Sequence, residues 1–198
     1  VLSRTLGYKV KIGHAGTLDP LATGVLILCT GKATKRIEEF QGQTKEYTAT
    51  LQLGATTASY DMEHEVNASF PTEHITRELI NDTMPQFIGD IEQVPPTYSA
   101  VKVNGDRAYE LRRAGEEVKL KPKHIHIDEI EVVDFDVEKM QLSLRVVCGK
   151  GTYIRALARD LGRALNSGAY LTALRRTRVG DFTIDRCLDY EHIREWIE

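Results

Sequence analysis

Lys45-Glu-Tyr-Thr-Ala-Thr-Leu-Gln-Leu53 is the stretch on which the reading of the fold turns. Tyr47, Ala49, Leu51 and Leu53 fall on one side of an extended chain and Thr48, Thr50 and Gln52 on the other, the period of a strand with one buried face. Gly54 stops it. Two further alternating runs, His124 to Val133 and Met140 to Val147, read as a pair of strands, and Asn104-Gly105 reads as a hairpin turn after a strand from Tyr98 to Val103. Val25 to Cys29 is a short apolar run and reads as one buried strand. Between these lie helical signals. Thr72 is the expected cap of a helix from about Glu73 to Phe87, and Thr152 to Leu165 carries Ile154, Leu157, Ala158 and Leu161 at helical spacing. Short helices are expected at Ala169 to Arg175 and Tyr190 to Trp196. Hairpins separated by helices, without regular βαβ alternation, predict an α+β fold with a central, mainly antiparallel sheet.

The chain has 198 residues, 41% of them apolar and 28% charged, enough for a sizeable core and unlike a disordered segment. No repeat or low-complexity linker divides it, so a single domain over residues 1–198 is the expectation. No apolar run approaches the roughly 20 residues of a membrane span. Three well-separated cysteines, Cys29, Cys148 and Cys187, suit free thiols in a reducing compartment such as the cytoplasm and exclude a disulfide scaffold. His124-x-His126 is a weak metal signal without a third ligand nearby, and no metal is expected.

The net charge of −3 hides a segregation. Residues 1–36 sum to +5 and residues 150–178 to +6, while 37–95 sum to −9. Either these segments gather into one basic face suited to a phosphate-rich partner, or they interleave in space and cancel. The basic runs Gly31 to Arg36, Arg112-Arg113, Lys119 to Lys123 and Arg175 to Arg178, with tyrosines near them, point to RNA before DNA or lipid.

Two glycine-rich stretches stand out. In Gly13-His-Ala-Gly-Thr-Leu-Asp-Pro-Leu-Ala-Thr-Gly24, Pro20 keeps Asp19 out of helical conformation, and the glycines allow sharp turns or close approach of a ligand. Asp19 is then either an Asx-turn residue that shapes the loop or the mount of a nucleophile or base. Gly149-Lys-Gly-Thr-Tyr-Ile-Arg155 runs into a helix N-terminus, a place that favours an anion, and its order is not that of a nucleotide-binding P-loop. There Arg155 works against the helix dipole unless an acid or phosphate pairs with it.

The Gly13–Gly24 stretch resembles the aspartate motif of the TruB family of pseudouridine synthases. The resemblance continues, in family order, through Gly31-Lys-Ala-Thr-Lys35, Lys45-Glu-Tyr47, Pro95-Pro-Thr-Tyr-Ser-Ala100, Gly149 to Arg155 and Leu174-Arg-Arg-Thr-Arg-Val-Gly180. Each block alone is weak, whereas the ordered set is specific, and it is closer to the bacterial stand-alone tRNA enzymes than to the guide-RNA-dependent branch. It implies the pseudouridine-synthase α+β fold, with flanking helices and a cleft across the sheet. The implied reaction isomerises uridine to pseudouridine at position 55 in the T-arm of tRNA, with a flipped base, no cofactor, no metal, no membrane and no required protein partner. By the same resemblance Asp19 is the catalytic carboxylate, Arg155 its partner, and Tyr47 the ring that stacks on the uracil. Tyr153 and Leu174 line the uracil pocket, and His14 contacts the RNA. Two other readings stay open: a tRNA-folding chaperone without catalysis, and a guide-RNA-dependent synthase subunit. The family's Lys-Pro-x-Gly block, upstream of the aspartate loop, is not in this sequence, nor is a C-terminal PUA-type domain, and a truncated N-terminus is the expectation.

Overall fold

The computed structural model describes residues 9–99, 102–103, 106–108, 120–193 and 195. Its elements are β1 (Ile12–His14), β2 (Ala22–Gly24), β3 (Leu28–Thr30), a 3₁₀ turn at Gly31–Arg36, α1 (Ile37–Gly42) and β4 (Lys45–Leu53). There follow β5 (Ala55–Thr57), β6 (Val66–Ser69), α2 (Arg77–Thr83), β7 (Gly89–Gln93), β8 (Lys102–Val103) and β9 (Asp106–Arg107). The chain continues through β10 (Lys123–Asp136), β11 (Gln141–Cys148), α3 (Ile154–Ala164), β12 (Ala169–Val179) and β13 (Phe182–Thr183).

One sheet dominates, in the order β13-β12-β4-β11-β10-β7, with β2 beside β12. All its pairings are antiparallel except β2 with β12. This is the expected α+β architecture. β4 sits in the middle, and its alternation is as read: Tyr47, Ala49, Leu51 and Leu53 are buried. Against that face packs α3, which presents Ile154, Leu157, Ala158 and Leu161, together with Ile80 of α2 and Met84 and Phe87 just after it. A fully buried leucine or isoleucine contributes roughly 1.5–3 kcal/mol, so this two-layer contact is the main stabilising term. Ala15, Cys29 and Phe40 form a small second cluster under α1.

On the opposite face charges interleave and cancel. Glu46 of β4 lies 2.8 Å from Arg145 of β11 and 3.8 Å from Arg178 of β12, and Arg145 reaches Glu129 at 2.9 Å. Part of the basic segment 150–178 is therefore neutralised across the sheet.

Five expectations change. Ala169 to Arg175 is not a helix but half of β12, the strand that flanks β4. Its buried positions 169, 171, 174, 176 and 179 step by two and three because the pairing with β4 shifts register after Leu171 and after Arg176. Those bulges erase the period of two in the sequence. Val25 to Cys29 is not one strand: the chain leaves β12 after Gly24 and pairs with β1 only from Leu28, while Leu26 stays exposed. The helix expected from Glu73 is capped by Thr76, whose Oγ1 accepts from Leu79 N at 3.1 Å, and it is α-helical only to Thr83. Residues 190–193 form turns rather than a helix. β8 and β9 pair as a hairpin, Lys102 with Arg107 and Val103 with Asp106. The Asn104-Gly105 turn itself, Arg112-Arg113, Lys119 and Trp196 lie outside the described residues, and Tyr98 and Ser99 are not in a strand. Among the described residues no helix is long and apolar enough to cross a membrane.

Candidate active site

A cleft of about 590 Å³ opens at the end of the sheet where β4 and β12 meet the loop leading into α3. Asp19, Tyr47, Tyr153, Arg155 and Leu174 all line it, so five of the six residues singled out in the sequence converge. His14 does not line it; it is exposed at the end of β1.

Each side chain is placed by an identifiable local cause. Asp19 sits in a loop closed by a turn, Ala22 N–H donating to Asp19 O at 2.8 Å. Arg155 is the second residue of α3, only 4% exposed, and faces back toward that loop. Its guanidinium donates to both Asp19 carboxylate oxygens at 2.9 Å, from Nε and Nη2. The remaining donors reach the Tyr98 carbonyl at 3.0 Å and the Ser59 carbonyl at 3.2 Å. A buried fork with two charge-assisted bonds and two carbonyl bonds is the geometry for which arginine is suited and lysine is not. The acid expected to pair with the cation in the first turn of α3 is thus Asp19.

Tyr153 is held by Gln93 of β7, which accepts from Tyr153 N at 2.9 Å and donates to Tyr153 O at 3.2 Å. Tyr47 is 9% exposed, and burial raises its phenol above the ordinary tyrosine range. Tyr153 moves the same way for the same reason. Both phenols therefore stay neutral hydrogen-bonding groups through the physiological range. Leu174, on β12, contributes a buried apolar wall.

Three neighbours were not singled out as site residues in the sequence. Asp61, 1% exposed, lies 3.6 Å from Arg155 Nε and accepts from Ser59 Oγ at 2.5 Å and from Glu63 N at 2.9 Å. Nothing local distinguishes it from the other acids of the segment 37–95; only the loop after β5 brings it to Arg155. Lys45 is buried, bonded to the carbonyls of Gln41 and Gln43, and burial lowers its ammonium below the usual lysine range. Arg176, read as part of a phosphate-facing basic run, is instead 2% exposed and turned inward. Its place in the buried phase of β12 was hidden by the bulges.

Among the described residues no group of three histidine, cysteine, aspartate or glutamate side chains is arranged to hold a metal. His124 lies 3.7 Å from Glu92 and His126 2.8 Å from Asp90.

A mainly antiparallel sheet crossed by a cleft, with an aspartate clamped by a buried arginine and faced by two tyrosines, defines an α+β enzyme with a charged, aromatic-lined site. The chain belongs to the TruB family of pseudouridylate synthases: the model of the family's N-terminal domain matches residues 3–154, and that of the tRNA pseudouridylate synthase B C-terminal domain matches residues 155–198. It is 64% identical over 200 residues to tRNA pseudouridine synthase B of Bacteroides thetaiotaomicron, covering 100% of this chain and 83% of that protein. It is 52% identical to the Flavobacterium johnsoniae protein of the same name, over 96% of this chain and 82% of that one. Among solved structures it is similar to the one described as a Cbf5-Nop10-Gar1 complex, with a TM-score of 0.73 and 28% identity over 98% of this chain. The match spans 48% of the chain in that complex, about half its length.

Proposed function

We propose that this chain isomerises uridine to pseudouridine at position 55, in the T-arm of tRNA, with Asp19 as the reacting carboxylate. The coarser part is the family's own: a pseudouridine synthase, an isomerase acting on tRNA. The reaction breaks the N1–C1′ bond, turns the uracil and joins C5 to C1′. The proton on C5 departs, N1 ends protonated, and composition and redox state are unchanged, so the chemistry requires no cofactor. It does require a carboxylate beside the sugar and base, a pocket that excludes water, and a nucleotide out of its stack.

The observation that carries the proposal is the bidentate Arg155–Asp19 pair at the wall of the cleft. It presents one carboxylate in a fixed orientation while leaving Asp19 29% exposed to an incoming nucleotide. In this reading Arg155 orients and neutralises Asp19, Tyr47 stacks on the uracil, Tyr153 and Leu174 enclose it, and exposed His14 touches RNA outside the cleft. Exposed Lys32 and Lys35, after β3, follow the phosphates and set affinity rather than identity. The enzyme works in the cytoplasm, on tRNA alone, without a guide RNA or protein partner. Identity of 64% to a protein named tRNA pseudouridine synthase B, against 28% to a chain of the Cbf5-Nop10-Gar1 complex, supports that last point.

The test is tritium release from an unmodified tRNA transcript labelled at uridine C5, beside the same transcript with the T-loop uridine replaced by cytidine. Release that disappears with the cytidine transcript is expected. Release unaffected by that replacement would defeat the site assignment, and tight binding without release would favour a tRNA chaperone.

A further inference from the structure

Arg176 is a buried cation that none of the roles above uses. It is 2% exposed, borders the same cleft, and makes no ion pair among the described residues. Its hydrogen bonds go to main-chain carbonyls of the aspartate loop. Nε donates to Val25 O at 2.8 Å, Nη2 to Gly16 O at 3.1 Å, and Nη1 lies 3.5 Å from Thr17 O. The Arg176 backbone adds a fourth tie, its carbonyl accepting from Val25 N at 2.8 Å. One residue thus joins the two ends of the segment from Gly16 to Val25, and Asp19 is held in between.

The other side of Arg176 meets the opposite wall. Arg176 and Tyr47 are direct cross-strand partners in the pairing of β12 with β4, and the Tyr47 phenol lies within interaction range of the guanidinium. The approach is tight at the loop side as well. A Cβ on Gly24, whose φ is +100°, would come within 2.2 Å of Arg176 O, so only glycine allows β2 to lie against β12 here. A buried guanidinium without a carboxylate partner is expensive as a stability device, because three carbonyl dipoles compensate less well than an anion. A packed apolar side chain would fill the space but could not tie three carbonyls at two ends of a loop.

We infer that Arg176 is a positioning residue: it sets the distance and orientation of the Asp19 loop relative to the Tyr47 ring, so that carboxylate and stacking surface address the same nucleotide. This inference rests on the function proposed above. It assigns Arg176 no contact with RNA phosphate and no chemical step. Arg155 orients the carboxylate itself, and Arg176 places the loop that carries it.

The experiment compares the wild type with Arg176→Lys, Tyr47→Phe and the double variant on the full chain. The readouts are single-turnover tritium release, tRNA affinity and the thermal transition. Lysine keeps the charge but offers one nitrogen, which cannot span Gly16 and Val25. Expected for Arg176→Lys is a folded protein whose tRNA affinity stays within about threefold while its single-turnover rate falls about 100-fold, the scale of a 1 Å misplacement. In the double variant the loss should be clearly less than the product of the single losses, because Arg176 acts partly through Tyr47. A rate within about threefold of wild type in folded Arg176→Lys would overturn the inference, as would fully multiplicative losses. Should Arg176→Lys not fold, Arg176→Gln, with a flat amide that still donates to one end of the loop, is read by the same criteria. A wild type that releases no tritium would instead defeat the proposed function.

Discussion

Replacing Arg155 by lysine keeps the charge beside Asp19 and removes the fork, so it separates electrostatics from geometry. The guanidinium makes four hydrogen bonds, two to Asp19 and one each to the carbonyls of Ser59 and Tyr98, and it faces Asp61 at 3.6 Å. An ammonium has three N–H groups on one atom and cannot bind Asp19 in bidentate fashion while reaching two carbonyls on different loops. At least one buried acceptor is left unpaired, at about 1–3 kcal/mol, and the loss of the planar pairing brings the expected destabilisation to about 2–4 kcal/mol. Asp19 then gains rotational freedom, and a single-turnover rate lower by about 100-fold is expected, equivalent to about 2.7 kcal/mol of barrier. Urea unfolding reads the first number and rapid-quench tritium release with saturating enzyme reads the second. An Arg155→Lys variant that unfolds within about 0.5 kcal/mol of wild type and reacts within about threefold would show that charge alone suffices and that the fork is incidental.

Other consequences follow from the same geometry. Burial alone would raise the Glu46 carboxyl, but hydrogen bonds from Thr177 and Arg145 outweigh it and hold the group below its ordinary value of 4.5. Its stabilisation is therefore present above about pH 4.5 and lost as pH falls through the lowered value. Glu46→Gln should be less stable by about 1–2 kcal/mol at pH 7, with the gap closing in acid, when denaturation is followed from pH 7 to 3. The Cys148 thiol is buried and pushed up to about 11, and Cys29 is buried too, whereas Cys187 is exposed. Native protein treated with iodoacetamide at mildly alkaline pH should be labelled at Cys187 only, and peptide mapping that finds modified Cys148 before unfolding would contradict the burial. Replacing exposed Lys32 and Lys35 by alanine should weaken tRNA binding for every sequence variant and reduce the salt slope by about one for each lysine, with the saturated rate unchanged.

The parts of this molecule governed by local periodicity were legible before the structure. β4 could be read from alternation and α3 from its apolar stripe, because each buries one face along an uninterrupted run. β12 could not, because two bulges shift its phase, and the misreading also concealed that Arg176 points inward. Cap chemistry named the wrong threonine before α2, since Thr72 and Thr76 are equally good caps in sequence and only the Thr76 backbone is followed by helical geometry. The candidate site shows the same division. Asp19 sits in a glycine-marked loop and Arg155 at the start of the helix that follows another; a cation that opposes a helix dipole asks for an acid or a phosphate, and Asp19 as that partner was implied by the family resemblance. Asp61 carries no local mark. Its burial beside Arg155 is set by the loop after β5, a tertiary event that no window of sequence contains.

In the proposed function Asp19 performs the isomerisation while the rest of the cleft binds tRNA. Single-turnover tritium release by Asp19→Asn, with tRNA affinity measured on the same preparation, addresses it most directly. No detectable release is expected, with affinity within about tenfold of wild type, since asparagine keeps the size and part of the contact with Arg155 while losing the anion. Release at a rate near that of the wild type would contradict it and return Asp19 to the role of a residue that shapes its loop.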